Sequence, residues 1–347
     1  MKIEVYSPTI RRKEMDAVLT AMAEDQVGPG EHTRFLIHTA KEALGFDYCL
    51  ALRSPVFALE LALRALCAAA PEGESPKGRG VIVSALSPLY YERVIRNLDL
   101  TPLYCDSSAG TPLMAPDKMK ALAAAKPLCG IFHHTLGYMP EEEVFSSLGI
   151  PIIEDCSQSA GTRLKEKESG SFGTFTLLGL EEKDMITAGG GALLYSVSRR
   201  HAGALRALGD LPPEYLLPDM NAAMAAVQFR EAAKNNGRRR ELAQAYVQAS
   251  LQTRHKRFKE AEGLDYNNYA FPLVLESGVK DVKAYAKRRE ILVEEAFEAT
   301  LAGSGVIPSA QCPCAYSLTL RTVLFPLYPR LGAASADRVA KLIMTLP

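Results

Sequence analysis

The most informative segment of this chain is Ile150-Pro151-Ile152-Ile153-Glu154-Asp155-Cys156-Ser157-Gln158-Ser159-Ala160-Gly161. An apolar, β-favouring run ends here in acidic and amide side chains. Ligands of open α/β sheets bind at the carboxyl ends of parallel strands, so Asp155 and Gln158 are candidate site residues. Asp155 has an alternative structural role, because a carboxylate at a strand end can also cap the following helix.

Two glycine-rich segments and a lysine follow that strand. The segments are Gly170-Ser171-Phe172-Gly173 and Ala188 to Leu194, and Lys183 lies between them. A strand-end carboxylate and a later lysine are what pyridoxal phosphate chemistry requires, since the lysine forms the Schiff base and the carboxylate keeps the pyridine nitrogen protonated. A lysine preceded by two glutamates is also typical of a solvated surface. Gly189 to Gly191 precede a strand-like run, which favours a tight turn over a dinucleotide site.

Outward from this centre the chain alternates between helical and strand-like patterns. Apolar residues recur at helical spacing between residues 12 and 24 and again between residues 33 and 44. Ser54 before Pro55 is a helix start signal for the apolar segment that runs to Ala69. Short β-rich runs occur at residues 47–52, 80–83, 102–105, 129–132 and 150–153. This order predicts an α/β fold with a largely parallel sheet covered on both faces.

The C-terminal third of the chain follows a different pattern. A long helix is predicted from Asn221 to Gln252, and beyond it strand-like and helical runs alternate to a closing helix at residues 336–344. We therefore predict a large domain at residues 1–235 and a small α+β domain at residues 236–347. The stretch at residues 71–80, rich in Pro, Gly and charge, is predicted to be a surface loop.

Composition excludes several classes of protein. The 347 residues are 48% apolar and 23% charged, which is typical of a globular chain with a packed core. Lys plus Arg equal Asp plus Glu at 40 each, whereas nucleic-acid and membrane-surface proteins normally carry a basic excess. No apolar run reaches the ~18 residues of a membrane helix, and the N-terminus does not resemble a signal peptide. The 7 scattered Cys indicate free thiols in a reducing compartment, which predicts a cytoplasmic protein.

Taken in order, these segments resemble the DegT/StrS sugar-nucleotide aminotransferases, within the fold type I pyridoxal-phosphate enzymes. Residues 150–161 are similar to the family's "IPVIEDAAQAHG", residues 170–173 to "GSFG", and residues 183–192 to "KNLTTxEGGA". The resemblance implies a fold type I architecture, a homodimer, and amino transfer to a keto-sugar nucleotide. It also implies that Lys183 is the Schiff-base lysine and general base, that Asp155 binds the pyridine nitrogen, and that Gln158 contacts the ring or its hydroxyl. His133 falls in a segment similar to "HLYG".

The resemblance weakens where the family binds the cofactor's phosphate. A Ser-Gly-Thr turn is replaced by Ser54-Pro55-Val56, which lacks one N–H group and one hydroxyl. Ser54 and Val56 are the candidates at this turn, and Thr176 is the candidate for a serine that precedes the lysine. Pro88 stands where a stacking aromatic is expected, with Tyr90 and Tyr91 nearby. The positions of an Asn and an Arg usually offered by the partner subunit are taken by Glu214 and Leu216, and a glutamate would repel a phosphate.

Three functions remain open on these residues, of which the third, a chain that keeps Lys183 but uses another carbonyl ligand without a phosphate, is supported by no sequence feature. The first is a pyridoxal-phosphate-dependent aminotransferase, with Arg53 or Tyr91 as replacements at the phosphate. The second is a family member without catalysis or cofactor, which serves as a binding or assembly partner. We predict no metal site, because His133-His134 and Cys312-Pro313-Cys314 each lack a second set of ligands. The basic runs at residues 237–240 and 254–257 are typical of a solvated helix face, with contact to a nucleotide diphosphate as the alternative.

Overall fold

A seven-stranded mixed sheet forms the centre of the protein. The computed structural model describes residues 2–70 and 75–347, so residues 71–74 of the predicted surface loop lie outside the described residues. The central strands are β1 (Tyr48–Leu52), β2 (Gly80–Ser84), β3 (Thr101–Cys105), β4 (Cys129–His133), β5 (Ile152–Asp155), β8 (Phe175–Gly179) and β9 (Ala192–Ser196). Their order is β3-β2-β4-β5-β8-β9-β1, and only β9 runs antiparallel to its neighbours. The prediction of a mostly parallel α/β sheet is confirmed.

Two smaller sheets complete the set of described strands. The first contains β6 (Arg163–Leu164), β7 (Lys167–Glu168) and β10 (Leu264–Asp265), and the second contains β11 (Phe271–Val274), β12 (Glu294–Glu295) and β13 (Thr322–Phe325). In the second sheet β13 lies between β11 and β12, antiparallel to both.

Helices lie along the chain between most of these strands. They are α1 (Arg12–Ala23), α2 (Glu31–Leu44), α3 (Pro55–Ala68), α4 (Tyr90–Asn97), α5 (Pro116–Ala123), α6 (Glu142–Ser147), α7 (Arg199–Arg206), α8 (Asp219–Ser250), α9 (Val279–Lys287), α10 (Pro313–Thr319) and α11 (Ala333–Met344). Two 3₁₀ turns occur at Thr135–Gly137 and Pro213–Tyr215. No described helix combines the length and the apolar character needed to cross a membrane.

Burial explains why the middle strands read as continuous apolar runs. All residues of β4, β5, β8 and β9 are buried, as expected for strands covered on both faces. Helix α3 packs against β1, β8 and β9, and it begins as the sequence predicts: Pro55 is its first residue and the Ser54 hydroxyl accepts a hydrogen bond from the Phe57 amide. The buried sheet fixes the carboxyl ends of β4 and β5 side by side.

The C-terminal sheet has a core of its own. Buried residues of β11, β13, α9 and α11 pack together with the second half of α8, including Leu242 and Tyr246. Helix α8 runs without interruption from Asp219 to Ser250 and therefore crosses residue 235. We propose that the large and small domains share this helix, with the boundary inside it.

Candidate active site

Asp155 is the last residue of β5 and lies at the carboxyl end of the sheet, fully buried. Its Oδ1 accepts hydrogen bonds from the Ser157 amide (2.9 Å) and the Ser157 hydroxyl (2.5 Å). Its Oδ2 accepts a hydrogen bond from the Tyr91 hydroxyl, and Nδ1 of His133 lies 3.5 Å away. Both oxygens of the carboxylate are therefore bound by side chains of the same chain.

These donors decide the charge of Asp155. Burial raises the pKa of this carboxyl group, but His133, Ser157 and Tyr91 outweigh burial and hold the pKa below its ordinary value. Tyr91 is the matching donor, because burial and the Asp155 charge raise the pKa of its phenol well above the ordinary value. The pair is therefore a carboxylate that accepts a hydrogen bond from a neutral phenol.

A cavity of about 350 Å³ lies next to this pair. Its walls include three residues predicted from the sequence or its resemblance, namely His133, Gln158 and Lys183. His133 connects the cavity to Asp155, because its ring borders the cavity while its buried Nδ1 lies 3.5 Å from Asp155 Oδ2. The structure thus brings Lys183, Gln158 and Asp155 to one end of the sheet.

Lys183 reaches the cavity from the loop between β8 and β9. Its side chain is 59% exposed, and Nζ lies 3.3 Å from Oε2 of Glu294. The next residue, Asp184, turns inward and accepts a hydrogen bond from the Glu181 amide at 2.8 Å. Burial and the nearby Asp155 charge raise the pKa of Asp184 to about 8. One loop therefore carries an amine that faces the cavity and a carboxyl group that faces the sheet.

The Gly170 to Gly173 segment has a structural role here. Its amides at Gly170, Phe172 and Gly173 donate to the two carboxylate oxygens of the fully buried Glu154 at 2.7 to 3.0 Å. A Cβ at Gly170 would overlap the Tyr195 hydroxyl, and one at Gly173 would overlap the Phe175 carbonyl oxygen. This need for small residues accounts for both glycines.

Glu154 also belongs to a buried cluster with His134 and Cys156, whose potential ligand atoms lie within 4.8 Å of one another. Because three amides already donate to the Glu154 carboxylate, its oxygens are engaged in holding the glycine segment. His134 in turn has Nδ1 2.7 Å from the Ser159 hydroxyl. Nε2 of His134 lies 3.4 Å from Oε1 of Glu154.

Other predicted site residues lie away from the cavity or face elsewhere. Ser54 caps α3, and Val56 borders a separate cavity of about 220 Å³ together with Tyr90. The Thr176 hydroxyl is buried and donates to the Gly170 carbonyl at 2.9 Å. Gln158 borders the cavity, but its Oε1 accepts a hydrogen bond from the Leu136 amide at 2.6 Å. The polar groups of Ser54, Thr176 and Gln158 are thus hydrogen-bonded to the backbone of this chain, so they are not free to bind a phosphate or the cofactor ring.

The basic runs and the cysteine pair are placed outside this cavity as well. Arg240 and Arg257 border a groove of about 750 Å³, where each is paired with a carboxylate, Asp265 and Glu260 respectively, at 3.0 Å. The Cys314 amide donates to the Asp106 carboxylate at the start of α10.

One wall of the cavity was not found from the sequence. It is formed by the segment from Glu294 to Thr300, which begins with β12. The segment is tied to the loop after β2, since the Leu301 amide donates to the Ser87 carbonyl (3.0 Å) and the Ala302 amide to the Ala85 carbonyl (2.9 Å). The sequence offered no local signal for this wall, because the contact joins segments more than 200 residues apart.

A sequence profile of the DegT/DnrJ/EryC1/StrS aminotransferase family matches residues 8–344. This chain belongs to that family. The Bacillus subtilis (strain 168) protein EpsN, which carries the name of a pyridoxal phosphate-dependent aminotransferase, is 29% identical over 207 residues, covering 56% of this chain and 51% of EpsN. The chain thus matches about half the length of this curated relative.

Solved structures of other proteins share the fold over nearly the whole chain. The pyridoxal phosphate form of Spr1654 from Streptococcus pneumoniae, described as a sugar aminotransferase, has a TM-score of 0.89 at 17% identity and covers 99% of this chain and 98% of that one. A GDP-4-keto-6-deoxymannose-3-dehydratase (ColD) with bound GDP-perosamine has a TM-score of 0.86 at 14% identity, covering 98% of this chain and 100% of ColD. These matches confirm the predicted fold type I architecture, and the family profile confirms the resemblance seen in the sequence.

Proposed function

We propose that this chain is a pyridoxal-phosphate-dependent aminotransferase that transfers an amino group to a keto-sugar nucleotide through Lys183. The observation that carries the proposal is the Lys183 amine on the same cavity as His133, which contacts the buried Asp155 carboxylate. Amine, carboxylate and cavity lie at the carboxyl end of the sheet, where ligands of this sheet type bind. Family membership supports the reaction class.

The residues present fit the reactive end of the cofactor. A primary amine borders the cavity, the His133 ring borders it too, and His133 Nδ1 lies 3.5 Å from Oδ2 of Asp155, a carboxylate with a lowered pKa. Once bound, pyridoxal phosphate supplies an electron sink for amino transfer. The phosphate end is not matched by Ser54 and Val56, which lie at other positions, so a phosphate would need new partners.

Each residue then has a task of its own. Lys183 would hold the cofactor covalently through Nζ and, once released from it, move a proton on the substrate. Asp155 would hold the proton of the pyridine nitrogen at Oδ2. His133 positions that carboxylate, and Gln158 fixes the turn at Leu136 through its amide oxygen. For Lys183 to react, its ion pair with Glu294 must open; an exposed pair of this kind is worth only about 0–1 kcal/mol.

The sugar-nucleotide substrate and the homodimer rest on the family and its neighbours. Spr1654 is described as a sugar aminotransferase, and ColD was solved with GDP-perosamine. We propose a homodimer in the cytoplasm. All seven cysteines are free thiols, which agrees with a reducing compartment.

A second candidate function is favoured by two observations. The Tyr91 hydroxyl already occupies Asp155 Oδ2, and the phosphate-turn residues lie away from the Lys183 cavity. A non-catalytic family member with a binding or assembly role would keep this arrangement.

The two candidates are separated by an amino-transfer assay. The chain is supplied with pyridoxal phosphate, ¹⁵N-glutamate or ¹⁵N-glutamine, and a panel of nucleotide-linked keto-sugars, and the products are followed by mass spectrometry. We expect ¹⁵N in an amino-sugar nucleotide with the unchanged chain and none with Lys183→Ala. Lys280→Ala, which removes a lysine from α9, is the matched control and should behave like the unchanged chain. Transfer that survives in Lys183→Ala would contradict the assignment.

A further inference from the structure

Tyr91 stands where a ligand of Asp155 would have to bind. It is the second residue of α4, and its ring is fully buried. Its hydroxyl donates to Oδ2, the oxygen that faces His133 and hence the cavity, whereas the donors from Ser157 occupy Oδ1 on the other side of the carboxylate. The position is fixed by the start of the helix, because the Tyr91 amide donates to the Pro88 carbonyl at 3.2 Å.

A protonated pyridine nitrogen and a phenol make the same kind of contact with a carboxylate. Each donates one hydrogen bond to one oxygen, and bonds to a charged acceptor are stronger than those between neutral groups. Oδ1 already accepts two hydrogen bonds from Ser157, which leaves Oδ2, where the Tyr91 hydroxyl donates, as the oxygen for a further donor. The two therefore compete for one atom.

The Tyr91 ring is held by packing contacts with its neighbours. Its ring packs edge-on against Tyr90 with ring centroids 4.9 Å apart, and against His133 at 6.1 Å. Val94 and Ile95, which lie three and four residues further along the helix on the same face, are buried in the hydrophobic core. Removal of the hydroxyl alone leaves all of this packing intact, so the hydrogen bond can be tested apart from the fold.

We propose that Tyr91 is a positioning residue that sets cofactor affinity, because its hydroxyl competes with the pyridine nitrogen of pyridoxal phosphate for Oδ2 of Asp155. This inference rests on the proposed function, which assigns Asp155 to the pyridine nitrogen. Cofactor binding then displaces Tyr91 from Oδ2, and the chain binds pyridoxal phosphate more weakly than it would with phenylalanine at this position.

The test is a titration of the whole chain with pyridoxal phosphate, followed by visible absorbance and by borohydride reduction with mass mapping of the labelled lysine. Tyr91→Phe should bind about tenfold more tightly or better, since a competing hydrogen bond to a charged group is removed. Ser157→Ala is the matched control that removes a hydroxyl donor from Oδ1 of the same carboxylate. Tyr246→Phe controls for the loss of a buried phenol elsewhere, because the Tyr246 hydroxyl has no hydrogen-bond partner among the described residues. Neither control should bind more tightly than the unchanged chain.

The outcomes separate this inference from the proposed function. Tighter binding by Tyr91→Phe alone supports the inference, including the case in which only that variant is labelled at Lys183. Equal or weaker binding by Tyr91→Phe, with Lys183 labelled in the unchanged chain, overturns the inference and leaves the function standing. Absence of label at Lys183 in every variant overturns both. If Tyr91→Phe fails to fold, as judged by circular dichroism, Tyr91→Leu replaces it with the same expectation.

Discussion

At the residue scale, three acids close to the carboxyl end of the sheet, two of them buried and Asp184 half-buried, titrate differently because their partners differ. Asp155 accepts hydrogen bonds from the Tyr91 and Ser157 hydroxyls and lies beside His133, and these neighbours hold its pKa below the ordinary value. For Glu154, burial outweighs three backbone amides and raises the pKa to about 7. Asp184 has one amide donor, and burial raises its pKa to about 8. The pKa values of the adjacent Glu154 and Asp155 therefore differ because of the number and kind of their hydrogen-bond donors, which the sequence does not show.

The free energy of unfolding of Asp184→Asn, measured relative to that of the unchanged chain, should be larger at pH 8 than at pH 5. The folded pKa of about 8 lies above the unfolded value of about 3.9, so the protonated acid contributes stability below pH ~4, and that contribution is lost as the pH rises to 8. The asparagine stays neutral throughout. Because the side chain is only half-buried, we expect a relative gain of about 1–2 kcal/mol.

Urea unfolding at both pH values, followed by circular dichroism, measures this gain. Glu182→Gln, which changes an exposed neighbour, should show the same pH dependence as the unchanged chain. A pH dependence of Asp184→Asn that parallels the unchanged chain would contradict the assigned protonation.

The candidate site could be predicted from sequence only in part. Asp155, Gln158 and Lys183 were found because each belongs to a local pattern within a few residues. The Tyr91 contact and the Glu294 wall were missed because they depend on how α4 and the segment after β12 pack on the sheet. Ser54 was predicted correctly as the start of α3, and the same capping bond explains why its hydroxyl has a partner there.

At the element scale, α2 is anchored by a carboxylate that lies 186 positions or more away in the chain. Asp219, at the start of α8, accepts hydrogen bonds from the amides of Gly30 (2.8 Å), His32 (3.1 Å) and Thr33 (2.8 Å), and from the Thr33 hydroxyl (2.7 Å). It therefore acts as an N-cap from another helix, which joins α2 to α8. Burial raises the pKa of Asp219, but these donors outweigh it and lower the pKa overall.

Asp219→Ala should cost about 2–3 kcal/mol of the free energy of unfolding at pH 7, because a charged acceptor of several hydrogen bonds is lost. Because the folded pKa is lowered, the charged Asp219 contributes its full stabilisation above the unfolded pKa of about 3.9. That stabilisation is lost as the pH falls from there through the folded pKa. The difference between variant and unchanged chain should therefore shrink below pH 4. Asp210→Ala, in an exposed turn, is the control; a loss no larger than that of the control would be inconsistent with the cap.

The cavity wall at residues 294–300 depends on Gly303. A Cβ at this position would overlap the Phe297 carbonyl oxygen, which belongs to the same turn. Gly303→Ala should therefore destabilise the protein by about 1–3 kcal/mol and loosen the wall beside Lys183. Gly332→Ala is the matched control, because a Cβ there meets nothing within 4 Å. Thermal unfolding and limited proteolysis of both variants check this, and equal behaviour would show that the turn accommodates the methyl group.

At the scale of the whole molecule, the alternation of strand-like and helical runs was sufficient to predict the sheet and its parallel character. The sequence could not give the strand order or the antiparallel direction of β9, since both depend on the packing of distant segments. An exposed apolar stripe on α1, formed by Met15, Leu19 and Met22, is a candidate contact surface for the proposed homodimer. Light scattering should give a mass twice that of the chain, and the mass of a single chain would contradict the dimer.

The central claim is that Lys183 is the residue that holds pyridoxal phosphate. The most direct measurement is borohydride reduction of the whole chain after incubation with the cofactor, followed by peptide mass mapping, with Lys183→Ala alongside. We expect one phosphopyridoxyl group for each chain, on Lys183, and none on the variant. Label spread over exposed lysines such as Lys280, or equal label in the variant, would contradict it.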